Sequence, residues 1–257
     1  MAYSCKGPAP KRPDRTAGIA AQTRTAAKSL RVMGRGWLVT GCNRPGGHMT
    51  VKRQQLQGPA GELEVVLEQG SETPPFMAII CHPHPLFGGT MDNKVVTTLS
   101  RLARDQGAVV VRFNFRGVGH SQGAYSDGIG ETEDLLAVHA WLTHEYPGLP
   151  LWLAGFSFGS YVAARGARIL NDNGMAARQL LLVAPPVHHY DFAAIDSVGC
   201  PVTVVQGDDD EVVPVEQVLD WVARTPLAPD LVRFPDSGHF FHGRLVDLKQ
   251  VAASHLP

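Results

Sequence analysis

Short apolar runs alternate with helical patterns along most of this 257-residue chain, and that alternation constrains the fold more than any other feature. Residues 76–81, 108–113, 150–154, 179–184, 202–206 and 231–234 are runs of four to six residues, mostly apolar, which read as strands buried in a sheet. Between them apolar residues recur at spacings of three and four, as at Val95, Leu99 and Leu102 and again at Leu135, Val138 and Leu142. Helices are expected there and over 158–171, 215–224 and 244–254. Two alternating runs come first, 51–56 and 62–68, parted by Gly58, Pro59, Ala60 and Gly61, and predict a hairpin with one wet face. A hairpin followed by regular strand–helix alternation predicts an α/β fold, a mostly parallel sheet with helices on both faces. Only about 16 residues separate the strand ending near Ala184 from the one after Pro201, too few for a cap domain.

Composition narrows the function classes. At 44% hydrophobic and 18% charged, the chain can bury a full core and is not disordered throughout. No apolar run reaches the ~18 residues of a membrane-spanning helix. A net charge of −1 argues against a nucleic-acid partner. Four cysteines (Cys5, Cys42, Cys81 and Cys200) show neither paired nor zinc spacing, so no disulfide framework or structural metal is expected and a cytoplasmic location is the default.

The average charge conceals a split. Residues 1–48 hold nine Lys and Arg against the single acid Asp14, a charge of +8, whereas residues 49–257 carry −9. The leader lacks sustained apolar periodicity and is expected to be a mostly disordered basic segment, or a cloning-derived or mis-started extension ending at Gly46, Gly47, His48 and Met49. An organelle transit peptide is disfavoured by scarce serine, and a nucleic-acid-binding arm by the lack of aromatics. Residues 49–257 are expected to form one domain.

Gly155, Phe156, Ser157, Phe158 and Gly159 lie between an apolar strand and a helical pattern. A serine on such a tight strand-to-helix turn is forced out above the sheet, beside helix N–H groups that lack intrahelical partners and favour negative charge. The competing reading is an ordinary strand–helix turn. A serine hydroxyl needs a base, and the base an orienting carboxylate. Both are expected at the carboxyl ends of later strands, where sites on parallel sheets form. Asp208, Asp209 and Asp210 follow one such strand; His239 and His242 follow the last.

The order serine, acid, histidine is that of the α/β-hydrolase fold. The phrases running from His82 through Gly88 and Gly89 to Lys94, from Asn114 to Gly119, and from His239 to Gly243 resemble a bacterial family of small, lidless α/β-hydrolases described as serine esterases. The resemblance spans 49–257 and implies Ser157 as nucleophile and His239 as base. The superfamily phrase Gly-x-x-Asp-x-x-Val-Pro falls on Gly207, Asp210, Val213 and Pro214, which implies Asp210 as the acid and leaves Asp208 and Asp209 to turn and cap chemistry. His242 is then expected to be a satisfied wall histidine. An oxyanion hole of this fold uses the N–H after the nucleophile, here Phe158, and one from the loop after the first parallel strand. Pro83 and Pro85 have no N–H, which leaves His84, favoured by the superfamily pattern, and Leu86.

The resemblance also implies an ester hydrolase. Serine at the elbow sets the chain apart from dehalogenase and epoxide hydrolase branches, which carry aspartate there, and no flavin or nicotinamide fingerprint is present, so no cofactor is expected. The short 185–200 segment implies an open site acting on small or short-acyl carboxylic esters. Phe87, Phe156 and Phe240 are expected substrate contacts, joined by Phe158 and Phe241 where these are not core. The alternatives are a thioesterase, peptidase or acyltransferase using the same residues, or a non-catalytic binding member of the fold. His82 and His84 lack further converging ligands and are not read as a metal pair. Cys81 is read as core, and Arg116 in its glycine-rich turn as the partner of a local carboxylate.

Overall fold

The computed structural model describes residues 37–38 and 50–257. The expectations for the rest of 1–48 lie outside these residues. Among the described residues nine strands form one sheet: β1 (Trp37–Leu38), β2 (Thr50–Gly58), β3 (Gly61–Gln69), β4 (Met77–Cys81), β5 (Val109–Phe113), β6 (Leu151–Phe156), β7 (Gln179–Val183), β8 (Val202–Gly207) and β9 (Asp230–Phe234). Five helices join them: α1 (Lys94–Asp105), α2 (Ile129–Glu145), α3 (Phe158–Asp172), α4 (Val215–Arg224) and α5 (Leu245–Ala253). The order across the sheet is β1-β2-β3-β5-β4-β6-β7-β8-β9. Pairing is antiparallel from β1 through β3 to β5, and parallel from β5 to β9. The short strand β1 lies within the segment expected to stand apart from the fold; Trp37 pairs with Arg53 and Leu38 with Lys52.

Period-two alternation divides the apolar residues between two cores. Met77, Ile79 and Cys81 of β4 and Leu151 and Leu153 of β6 face the layer carrying Leu135, Val138 and Leu142 of α2, Val162 and Ala163 of α3 and Val218 of α4. Ala78 and Ile80, with Trp152, Ala154 and Phe156, face Val95, Leu99 and Leu102 of α1 and Leu248 of α5. Both faces of the sheet are thus covered, as the continuous apolar strands require. Between β7 and β8 lies only an irregular segment with one short 3-10 turn, Phe192–Ala194, and no cap domain.

The opening hairpin departs from expectation. Most of β2 is exposed, but β3 has no wet face: Glu64 and Glu68 are buried. β3 lies between β2 and β5, and α1 packs over its polar side, so protein groups replace water there. Glu68 accepts hydrogen bonds from Ser100 Oγ at 2.6 Å, Arg112 Nε at 3.0 Å and Arg104 Nη1 at 3.1 Å. Glu64 accepts from Arg53 Nη1 at 2.7 Å, Asn114 Nδ2 at 2.8 Å and His120 N at 3.1 Å. Buried carboxylates persist only when satisfied in this way.

The strand order places the site. β5 lies on one side of β4 and β6 on the other, so the direction of strand addition reverses at β4. Loops leaving the carboxyl ends of strands at such a reversal open a crevice between them. Cys81 pairs with Gly155, so the segment beginning at His82 and the turn carrying Ser157 leave the sheet side by side.

Candidate active site

Ser157 occupies a one-residue turn between β6 and α3 at φ 53°, ψ −122°. This strained conformation persists because its surroundings hold it. Its N–H donates to Val183 O at 2.8 Å, prolonging the β6–β7 ladder past the strand end. A Cβ on Gly155 would collide with the backbone of Gly159, and one on Gly159 with the carbonyls of Cys81 and His82. Only glycine at both positions lets the helix start this close to two strands.

The chain brings Ser157, His239 and Asp210 into one hydrogen-bonded line. His239 Nε2 lies 3.0 Å from Ser157 Oγ, and His239 Nδ1 lies 2.9 Å from Asp210 Oδ2 and 3.1 Å from Oδ1. Asp210 Oδ1 also accepts from the N–H groups of Val212 at 2.9 Å and Val213 at 2.7 Å, and Oδ2 from Gln206 Nε2 at 2.9 Å. Burial raises the Asp210 pKa, but the His239 ring and the two backbone donors outweigh it and hold the carboxyl below its usual range. An ionised Asp210 therefore accepts a hydrogen bond from His239 Nδ1–H, leaving the Nε2 lone pair to accept from the Ser157 hydroxyl. The His239 N–H donates to Glu211 Oε2 at 3.0 Å, and its ring packs on Phe156 with centroids 5.1 Å apart.

The N–H groups of Phe158 at the start of α3 and of His84 in the loop after β4 have no hydrogen-bond partner among the described residues, and both residues line the same cavity as Ser157. That loop is anchored by His82, whose Nδ1–H donates to Pro83 O at 2.6 Å and whose Nε2 accepts from Phe115 N at 3.0 Å. Both nitrogens are committed, so His82 is not available to a metal. Ser157, Phe158, His84, His239, Tyr125, Tyr190 and Phe240 all line a cavity of about 710 Å³.

Solved structures carry the same architecture. A serine hydrolase homologue from Coxiella burnetii is 44% identical, with 84% of this chain and 100% of that one covered at a TM-score of 0.74. An α/β serine hydrolase without lid from Xanthomonas campestris is 40% identical, covering 82% of this chain and 94% of that one at a TM-score of 0.72. An uncharacterised protein of Rickettsia prowazekii is 37% identical over 210 residues, 78% of this chain and 87% of the relative. The chain belongs to the α/β-hydrolase superfamily of serine hydrolases. No protein-family model matches it. No helix among the described residues is long and apolar enough to cross a membrane.

Several expected site residues of the hydrolase stand elsewhere. Leu86 is not a free oxyanion donor: its N–H donates to His84 Nδ1 at 3.2 Å, and its side chain is exposed at the tip of a 3-10 turn. Phe156 is not a substrate contact: as the last residue of β6 it points to the α1 and α5 face, where it is fully buried beneath His239. Phe241 is core on the same face, and His242 is exposed rather than a satisfied wall. Phe87 and Phe240 do line the cavity and are exposed at its rim. Asp208 pairs with Arg233 at 2.8 Å and Asp209 is exposed, so neither competes for His239. Cys81 is core, and burial raises its thiol pKa.

Other wall residues escaped the sequence reading. His188, His189 and Tyr190 lie just beyond the carboxyl end of β7. That placement was a usable signal, since every strand end on this side feeds the site. Tyr125 carries no comparable signal, because nothing local brings the segment before α2 over the crevice.

His82 gives the hydrolase an acid sensitivity. Burial drives its pKa down to about 3 from 6.5, opposed by the Pro83 carbonyl and aided by His84. The unfolded chain binds this proton more readily, so the stabilisation is fully present above pH 6.5 and is lost as pH falls toward 3. Urea titrations at pH 7 and pH 5 are expected to differ by about 2 kcal/mol from this group alone. His82→Asn is expected to be less stable at neutral pH but to lose less on acidification; equal losses in both proteins would refute the assignment.

Proposed function

We propose that this serine hydrolase cleaves small or short-acyl carboxylic esters through an acyl-enzyme on Ser157. The observation that carries the proposal is the unbroken line from Asp210 through His239 to Ser157, together with two unengaged N–H groups on residues that line the same cavity. In this reading Ser157 Oγ attacks the ester carbonyl while His239 Nε2 takes its proton. The N–H groups of Phe158 and His84 stabilise the oxyanion, aided by the positive end of α3. The tetrahedral intermediate then expels the alcohol, which receives the proton from His239. A water deprotonated by His239 next attacks the acyl carbon and releases the acid, restoring the Ser157 hydroxyl. Asp210 stays ionised and holds the ring in the Nδ1–H form. Among the described residues Cys81 and Cys200 form no disulfide, which supports a reducing compartment such as the cytoplasm.

A panel of short-chain esters, thioesters and aminoacyl anilides tests the substrate class. Ester turnover at the highest kcat/KM is expected; preferred turnover of thioesters or anilides would overturn it. Asp210→Asn is expected to lower kcat about 10⁴-fold at neutral pH, because the amide favours the wrong ring tautomer. Asp208→Asn, which breaks only the exposed pair with Arg233, is expected to retain activity. The reverse pattern would move the acid role to Asp208.

A further inference from the structure

The acid end of the reacting line is tied to the sheet by a residue that does not line the cavity. Strand β8 is buried along its whole length, and its penultimate residue, Gln206, places an amide where Val204 and Val205 before it are apolar. Gln206 is itself fully buried, and a buried amide costs free energy unless its polar hydrogens are bonded. Both hydrogens are used: Nε2 donates to Asp210 Oδ2 at 2.9 Å and to Gly207 O at 3.1 Å. Two acceptors at that end fix which way the amide faces, because its own carbonyl oxygen in the same place would repel both.

The backbone donors to the carboxylate cannot anchor it in this way. The N–H groups of Val212 and Val213 both bond Oδ1 and stand two and three residues further along the same loop, so they move with Asp210. Gln206 bonds Oδ2, the oxygen closer to His239 Nδ1, and does so from the strand itself. The strand ladder carries that register across to the nucleophile. Gln206 follows Val205, which pairs with Val183 of β7, and Val183 O accepts the Ser157 N–H at 2.8 Å. The histidine loop is fastened in turn to the acid loop. The Asp209 N–H donates to Ser237 O at 3.1 Å, and the His239 N–H to Glu211 Oε2 at 3.0 Å. His239 therefore follows the acid loop, and the bond from Gln206 sets where its carboxylate lies relative to Ser157.

We propose that Gln206 is a positioning residue of the hydrolase, holding the plane of the Asp210 carboxylate so that the His239 ring stays aimed at Ser157. This rests on the ester-hydrolase reading of the same site. Gln206→Met and Gln206→Leu each remove the donor and keep an apolar side chain of similar size. Each is expected to lower kcat on short esters about tenfold, or about 1.4 kcal/mol, the loss of one hydrogen bond to a charged group. KM is expected to stay within about twofold, because Gln206 does not line the cavity. The same changes made in Asp210→Ala, which has no carboxylate to hold, are expected to alter kcat by less than about twofold. With rates taken per folded protein, this comparison separates positioning from structure, since a general loosening of β8 would cost the same factor in both backgrounds. Methionine and leucine differ in shape, so either variant that folds decides. An unchanged kcat, a loss confined to KM, or equal losses with and without Asp210 would overturn the inference. Fluorophosphonate labelling in parallel separates the failures. Enzyme that labels and turns over esters regardless of changes at Gln206 overturns only the role of Gln206, whereas parent enzyme that neither labels nor turns over any ester overturns the hydrolase reading and this inference together.

Discussion

Ser157→Ala will abolish covalent labelling by a fluorophosphonate and lower kcat on short esters by roughly a millionfold, leaving only what the oxyanion donors and binding supply. The loss is expected to be that large because the hydroxyl is the atom that forms the acyl bond, and no neighbouring group replaces it. Cys81 is fully buried behind the turn, and the carboxylate of Asp210 is occupied by four donors. The fold should survive, since alanine has a similar shape and the N–H of residue 157 keeps its bond to Val183 O. His239→Ala is expected to cost a similar factor. The two together should cost little more than either alone, because the pair acts as one unit. Labelling that persists in Ser157→Ala would move the nucleophile elsewhere, whereas multiplicative losses in the double variant would mean that the two residues act separately.

Arg116→Met will destabilise the protein by about 3–5 kcal/mol, a fall in Tm on the order of 10 °C for a domain of this size. The Asp134 carboxylate is fully buried and accepts from Arg116 Nη2 at 2.8 Å, from Nε at 3.1 Å and from the Arg116 backbone N–H at 3.0 Å. Methionine matches the stem of arginine but leaves that carboxylate buried without its cation. The penalty is therefore the unpaired Asp134 rather than the net worth of the pair, and Arg116→Met combined with Asp134→Leu should recover much of it. Thermal and urea unfolding of the three variants measures both effects. A single variant within about 1 kcal/mol of the parent would contradict the burial argument. Tyr125 lies between Arg116 and the start of α2 and lines the cavity, so the same loosening should also raise KM for short esters.

Much of this architecture was legible along the chain. The apolar runs lie at β4 to β9 to within a residue or two, because the inner strands, covered on both faces, must be mostly apolar; the edge strand β9 keeps Leu231, Val232 and Phe234 between exposed Asp230 and Arg233. The turn at Ser157 was legible because close packing of α3 against β4 and β6 tolerates no side chain at Gly155 or Gly159, and that demand is written in adjacent residues. The hairpin was misread on one side for a reason equally physical. Glu64 and Glu68 alternate with apolar residues as a solvated face would; Arg53 of the neighbouring β2 pairs with Glu64, and only the arrival of α1 and β5 brings Arg104 and Arg112 to Glu68.

The sequence by itself determined the layered α/β plan, the elbow serine and, through resemblance, a short set of acid and base candidates, since these follow from periodicity, steric demand and phrases of neighbouring residues. Tertiary structure alone decided that Phe156 lies under His239 rather than in the cavity, that the Leu86 N–H is spent on His84, and that Tyr190 meets Tyr125 across 65 residues. Those outcomes depend on strand order and register, which set distances between remote residues. A one-dimensional pattern records which face a side chain takes within its own element, but not which partner that face will meet.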